Sequence, residues 1–95
     1  MVFDLSQVTG IGTYIAKPEK NRTLYLKDDK VFLVINQHTI ELRTDGELKK
    51  LLIDKYESVM ESRYFGRGGI EIVPAGQLAD DELNDLVRLS YNLTV

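Results

Sequence analysis

The chain contains no cysteine, a single histidine, two prolines and no apolar run longer than Val31-Phe32-Leu33-Val34-Ile35. Without cysteine there is no disulfide scaffold, no thiolate zinc site and no cysteine nucleophile. The longest apolar run falls far short of the eighteen or so residues of a membrane span, so no membrane role is expected. Met1-Val2-Phe3-Asp4 has neither the basic region nor the apolar stretch of a secretory leader, and the expected location is the cytoplasm. With a formal net charge of −3, the summed field repels polyanions, and nucleic-acid affinity would need a local basic patch.

Ninety-five residues make one core, since chains divide into several only beyond roughly 250 residues. Charge is unevenly spread. Lys17, Lys20, Arg22, Lys27 and Lys30 crowd the first third, against Glu19, Asp28 and Asp29. Residues 75–95 carry Asp80, Asp81, Glu82 and Asp85 against Arg88. Solvated surfaces of mixed sign are the ordinary reading of such a distribution.

Residues 1–10 offer Phe3, Leu5 and Val8 at a weak helical spacing, enough for one turn before Gly10 and Gly12. Residues 12–17 and 23–27 read as strands joined by the turn residues Pro18-Glu19-Lys20-Asn21. Asp28-Asp29 forms a two-residue hairpin candidate that lacks the usual glycine. Val31 to Ile35 is apolar on both faces, as in a strand covered on two sides or meeting another subunit. After a turn at Asn36-Gln37-His38, residues 39–43 alternate, placing Ile40 and Leu42 inward and Glu41 and Arg43 in water. Such short connections make an antiparallel meander.

Thr44-x-x-Glu47 has capping-box spacing, so the first helix is expected to start at Thr44 or Asp45. Leu48, Leu51, Leu52, Tyr56, Val59 and Met60 extend it as one stripe packed on the sheet. Gly66, Gly68 and Gly69 break the chain ahead of a strand at 70–73 with its isoleucines inward, closed by Pro74 and Gly76. A last helix is capped by Asp80 and buries Leu83, Leu86, Val87, Ser90 and Tyr91. The expected class is α+β: an antiparallel sheet of four to five strands with two C-terminal helices on one face.

Chemistry-bearing constellations are few. His38 is a lone turn histidine with no second ligand and no orienting partner in sequence. Asp28-Asp29 and Asp80-Asp81-Glu82 are explained by turn formation and capping, and lack calcium-loop spacing. Gly66-Arg67-Gly68-Gly69 leads from helix to strand, the reverse of a phosphate loop; it reads as a turn with a surface arginine, or as an anion site with Arg63 and Tyr64. Tyr56 and Tyr91 fall on core stripes, whereas Tyr25 and Tyr64 are candidate surface contacts. No paired nucleophile and base is visible, so no enzyme, cofactor or metal is expected.

From Thr23 onward the chain resembles the MmcQ/YjbR family of small bacterial proteins, commonly labelled DNA-binding. The likeness runs through Leu24-Tyr25-Leu26-Lys27, Val31 to Ile35, Glu47-Leu48-Lys49-Lys50-Leu51-Leu52, Lys55-Tyr56 and Arg63-Tyr64. It is most specific in Asp80-Asp81-Glu82-Leu83-x-x-Leu86-Val87-x-x-Ser90-Tyr91-x-Leu93. A TfoX N-terminal-like domain and the type III secretion chaperones are similar in build. Family members begin with a full helix where this chain has only residues 3–8, which implies a partly uncovered sheet face. They also carry a polar segment with asparagine, lysine, histidine and tryptophan where this chain has Phe65-Gly66-Arg67-Gly68-Gly69.

The resemblance implies a single domain over 1–95 that acts as a non-enzymatic binding or regulatory module, with DNA as the first partner. Lys27, Lys30, Arg63 and Arg67 would then contact phosphates and Tyr64 would pack on sugar or base. The alternative is a protein–protein module, forming a homodimer or accepting a peptide through the sheet.

Overall fold

In the computed structural model, which describes residues 5–74 and 77–95, the strands form one antiparallel sheet. Phe3, expected in the N-terminal turn, and Gly76, expected to close the last strand, lie outside the described residues. A single 3-10 turn at Leu5–Gln7 precedes β1 (Ile15–Pro18), β2 (Arg22–Lys27), β3 (Lys30–Asn36) and β4 (Ile40–Arg43). Then come α1 (Gly46–Lys55), β5 (Val59–Ser62), β6 (Gly66–Ile72) and α2 (Asp80–Leu93). The sheet has six strands in the order β1-β2-β3-β4-β6-β5, where four to five were expected.

The extra strand comes from the tail of the expected first helix. Val59 and Met60 belong to β5 and pair with Ile72 and Glu71, and α1 stops at Lys55 with the Tyr56 N–H donating to the Leu52 carbonyl at 2.9 Å. Helical periodicity carries past the true end because Val59 reaches the same core by a different route. Pairing with β6 supplies the backbone partners that a longer helix would have supplied internally. The expected α1 stripe is correspondingly loose: Leu51 is 66% exposed, while Leu48, Leu52 and Tyr56 are half-buried against the core.

Local chemistry sets the other boundaries. Asp28 and Asp29 both have positive φ, 49° and 67°, so the β2–β3 hairpin takes the left-handed conformation of a type I′ turn without glycine; aspartate tolerates it. Asp45, not Thr44, caps α1, its carboxylate accepting from Leu48 N at 2.8 Å. Thr44 still belongs to the ladder, donating its N–H to Gly68 O at 3.0 Å, and is buried, so it cannot turn outward to cap. Ala79 rather than Asp80 is the N-cap of α2, and the Glu82 carboxylate accepts the Ala79 N–H at 3.4 Å.

The glycines at 66–69 do not interrupt the chain between helix and strand. They form the first half of β6, entered by a turn from β5. Gly69 is there for closeness: a Cβ would lie 2.5 Å from Leu42 O and 2.7 Å from Phe65 Cβ, so a glycine lets Phe65 fold down onto the sheet.

Cross-strand partners share a face, and the register therefore separates two surfaces. Tyr25, Leu33, Leu42 and Ile70 form one row on the helix side, with Ile35, Ile40, Ile72 and Val59 beside it. A register shift between Tyr25 and Leu26 leaves Phe32 without a cross-strand partner, and Phe32 and Leu33 both reach the core. Against this face α2 buries Leu83, Leu86, Val87, Ser90 and Tyr91, as the spacing predicts. Each of the aliphatic members contributes about 1.5–3 kcal/mol on burial. Ser90 Oγ donates to Phe32 O at 2.6 Å and accepts from Arg43 N at 2.7 Å, fixing the helix over β3 and β4. Leu5 and Val8 join the same core, and Tyr91 donates to Thr13 O at 2.9 Å, so the segment before β1 covers part of the helix side. The other face, with the row Leu24, Val34, Glu41, Glu71 and Met60, receives no helix among the described residues.

Candidate recognition face and its carboxylate pair

Glu41 and Glu71 are direct cross-strand neighbours on the helix-free face, and each is only 2% exposed. The alternation correctly turns them away from the core, but Glu41 is not in water as the pattern predicts. Two carboxylates side by side in a dry place repel and lose hydration, so each must be matched by donors. The turn between β5 and β6 supplies them by folding over the sheet.

Glu41 accepts from Ser62 Oγ, Tyr64 N and Asn36 Nδ2, each at 2.8 Å. Glu71 accepts from Arg63 Nε at 3.0 Å, Arg63 Nη2 at 2.7 Å and Thr39 Oγ1 at 2.8 Å. The side-on guanidinium holds the Glu71 carboxyl below its usual range, against the opposing effect of burial, and Thr39 assists. Arg63 is raised by the same pairing although its side chain is 77% exposed: the arginine is a lid whose inner edge is bonded and whose outer edge meets water.

The lid continues sideways. Phe65 N donates to Ser62 Oγ at 2.8 Å, and the Phe65 ring lies under the Arg43 guanidinium, 5.0 Å from ring centre to Cζ. From the opposite side the Arg22 guanidinium stands over the Tyr64 ring at 5.3 Å, while its Nε donates to Glu19 at 2.7 Å and is raised chiefly by that bond. Arg22, Asn36, Glu41, Arg63 and Tyr64 line an open pocket of about 310 Å³ between the turn and the start of β2.

Arg63 and Tyr64, named from sequence, therefore meet in this pocket. Lys27 and Lys30 do not join them. Lys27 lies at the far end of β2 from Arg22, about 16 Å away at ~3.3 Å per residue. It donates to Tyr91 O at 3.1 Å and sits over the Tyr91 ring at 4.5 Å, a cation at the carboxyl end of α2. Lys30 Nζ donates to Val95 O in the same corner. Arg67 is exposed at the start of β6, and its carbonyl and that of Gly66 accept from Lys49 Nζ at 3.2 and 3.3 Å. The glycine-rich stretch thus turns carbonyls toward a cation. Tyr25 is half-buried against the core, leaving Tyr64 as the exposed member of the candidate pair.

Arg22, Asn36, Thr39, Glu41, Ser62 and Glu71 are not among the site residues to which the sequence points. A glutamate in the polar phase of a strand looks identical whether solvated or sealed. Only Glu41 and Glu71, both flanked by isoleucines or leucines in alternating strands, carried a signal, and it needed the register to be read. His38 is exposed in the β3–β4 turn. Among the described residues no group of three or more histidines or acids could hold a metal ion, and no helix is long and apolar enough to cross a membrane. No family model, curated protein or solved structure matches the chain.

Proposed function

We propose that this protein is a non-enzymatic binding domain whose recognition surface is the helix-free face of the sheet, engaged by a protein partner. The observation that carries this reading is the pocket roofed by the Arg63-Tyr64 turn: its polar groups hold one another in place instead of being poised for proton transfer. Both carboxylates are saturated by fixed donors, which suits a rigid docking surface and not a general acid or base. The exposed edge strand β1 carries Lys17 and Pro18, residues that guard against backbone pairing, so the face is the better candidate than the edge.

The test is a random peptide library selected on the immobilised protein, with the best binder titrated into 15N-labelled protein. Amide shifts are expected at Arg22, Asn36 and Tyr64. Shifts confined to α1 and α2, or no selected binder, would overturn the reading.

DNA is the second reading, favoured by the exposed Tyr64 beside the outward edge of Arg63 and by the family resemblance. It draws less support, because Lys27 and Lys30 serve α2 at another corner and Glu71 already meets the Arg63 charge. Anisotropy with a labelled duplex at low salt checks it. Saturable binding that weakens steeply with salt, and is lost in R63Q and Y64A, would put DNA first.

A further inference from the structure

We infer that the pocket is a carboxylate clamp, taking an acidic side chain or chain-terminal carboxylate of the protein partner between Arg22 and Arg63. The inference rests on the helix-free face being the recognition surface and names what that face reads.

Hydrogen-bond valence decides the ligand class. Arg63 spends Nε and Nη2 on Glu71, and among the described residues its Nη1 has no partner. Arg22 spends Nε on Glu19, and among the described residues its Nη1 and Nη2 have no hydrogen-bond partner. Asn36 Nδ2 is committed to Thr39 at 3.0 Å and Glu41 at 2.8 Å, and Glu41 already has three donors. The pocket therefore has guanidinium N–H groups in surplus, and a complementary ligand brings acceptors. A planar carboxylate matches the fork geometry of a guanidinium edge. Both arginines are held beforehand, Arg63 by a buried acid and Arg22 by Glu19 and the Tyr64 ring, so little side-chain freedom is lost on binding.

Charge narrows the class further. Two guanidinium groups stand among three carboxylates, Glu19, Glu41 and Glu71, a local excess of one negative charge that repels every anion at long range and a polyanion most strongly. Selection comes from short-range donors instead, which suits one carboxylate presented on a protein surface.

The experiment titrates N-acetylglutamate, and N-acetylglutamine as its uncharged isostere, at constant ionic strength while following the side-chain Nε–Hε signals of Arg22 and Arg63. Saturable shifts at millimolar N-acetylglutamate are expected, at least tenfold weaker with the glutamine analogue, abolished in R22Q and unchanged in K30Q. Arg22 is the decisive position because its own partner, Glu19, is on the surface, so R22Q leaves the fold intact. Linear shifts, equal shifts with both compounds, or full binding by R22Q would overturn the clamp. Tighter saturation by oligothymidylate than by N-acetylglutamate would also overturn it, in favour of nucleic acid. A library-selected peptide that docks on this face without any carboxylate would sink the clamp and leave the protein-partner reading standing.

Discussion

The two faces of the sheet are closed by different physics. On the helix side, Phe32, Leu33, Ile40, Leu42, Ile70 and Ile72 are sealed by apolar area from α2, the inner side of α1 and the segment before β1. On the other side, Glu41 and Glu71 are just as dry but are sealed by a short turn whose hydrogen bonds answer their charges. Area is forgiving and undirected, whereas a carboxylate bonded to three fixed donors specifies one position for the turn. That contrast places shape stability on one face and a preorganised surface on the other.

The sharpest way to separate the faces is to damage each. Phe32→Ala removes a fully buried ring packed edge-on against Tyr91 at 5.0 Å, and should cost about 3–5 kcal/mol in denaturant unfolding. Ser90→Ala strands the Arg43 N–H beneath α2 and should cost about 1–3 kcal/mol by the same measurement. Glu41→Gln turns an amide NH₂ toward donors on one side of the site and should cost about 1–2 kcal/mol, with Tyr64 amide exchange accelerated more than that of Leu42. A uniform acceleration would mean that the turn is no separate unit.

Acid should loosen the helix-free face first. The Glu71 carboxyl is depressed in the folded protein relative to an unfolded value near ~4.3, so its contribution is complete above that value and fades as pH falls through the depressed one. A pH series of melting temperatures should drop below about pH 4, and R63Q should flatten that drop. An unchanged slope in R63Q would break the assignment. The smallest effect belongs to Leu51→Lys, on the exposed side of α1, expected within about 0.5 kcal/mol of the parent.

How much of this was legible depends on the element. The buried face of α2 follows from its spacing residue for residue, since a 14-residue amphipathic helix with acids in its first turn has one way to lie on a sheet. The spacing of α1 runs on into β5, because Val59 satisfies a helical stripe and a strand pairing equally well in sequence. The glycines of β6 looked like a break; what they provide is room for Phe65. Of the pocket, Arg63 and Tyr64 were visible as an arginine–aromatic pair, while Arg22, Asn36 and the two glutamates were not.

Periodicity, capping and turn chemistry are local, and from them alone the chain already commits to an antiparallel meander, a closing amphipathic helix and a core of branched apolar residues. Which glutamates go dry is not local. It follows from Glu41 meeting Glu71 across two strands 30 residues apart, and from a turn that must cover both to satisfy them. A buried charge is stable only where distant donors converge on it, and that convergence exists only once the sheet has formed.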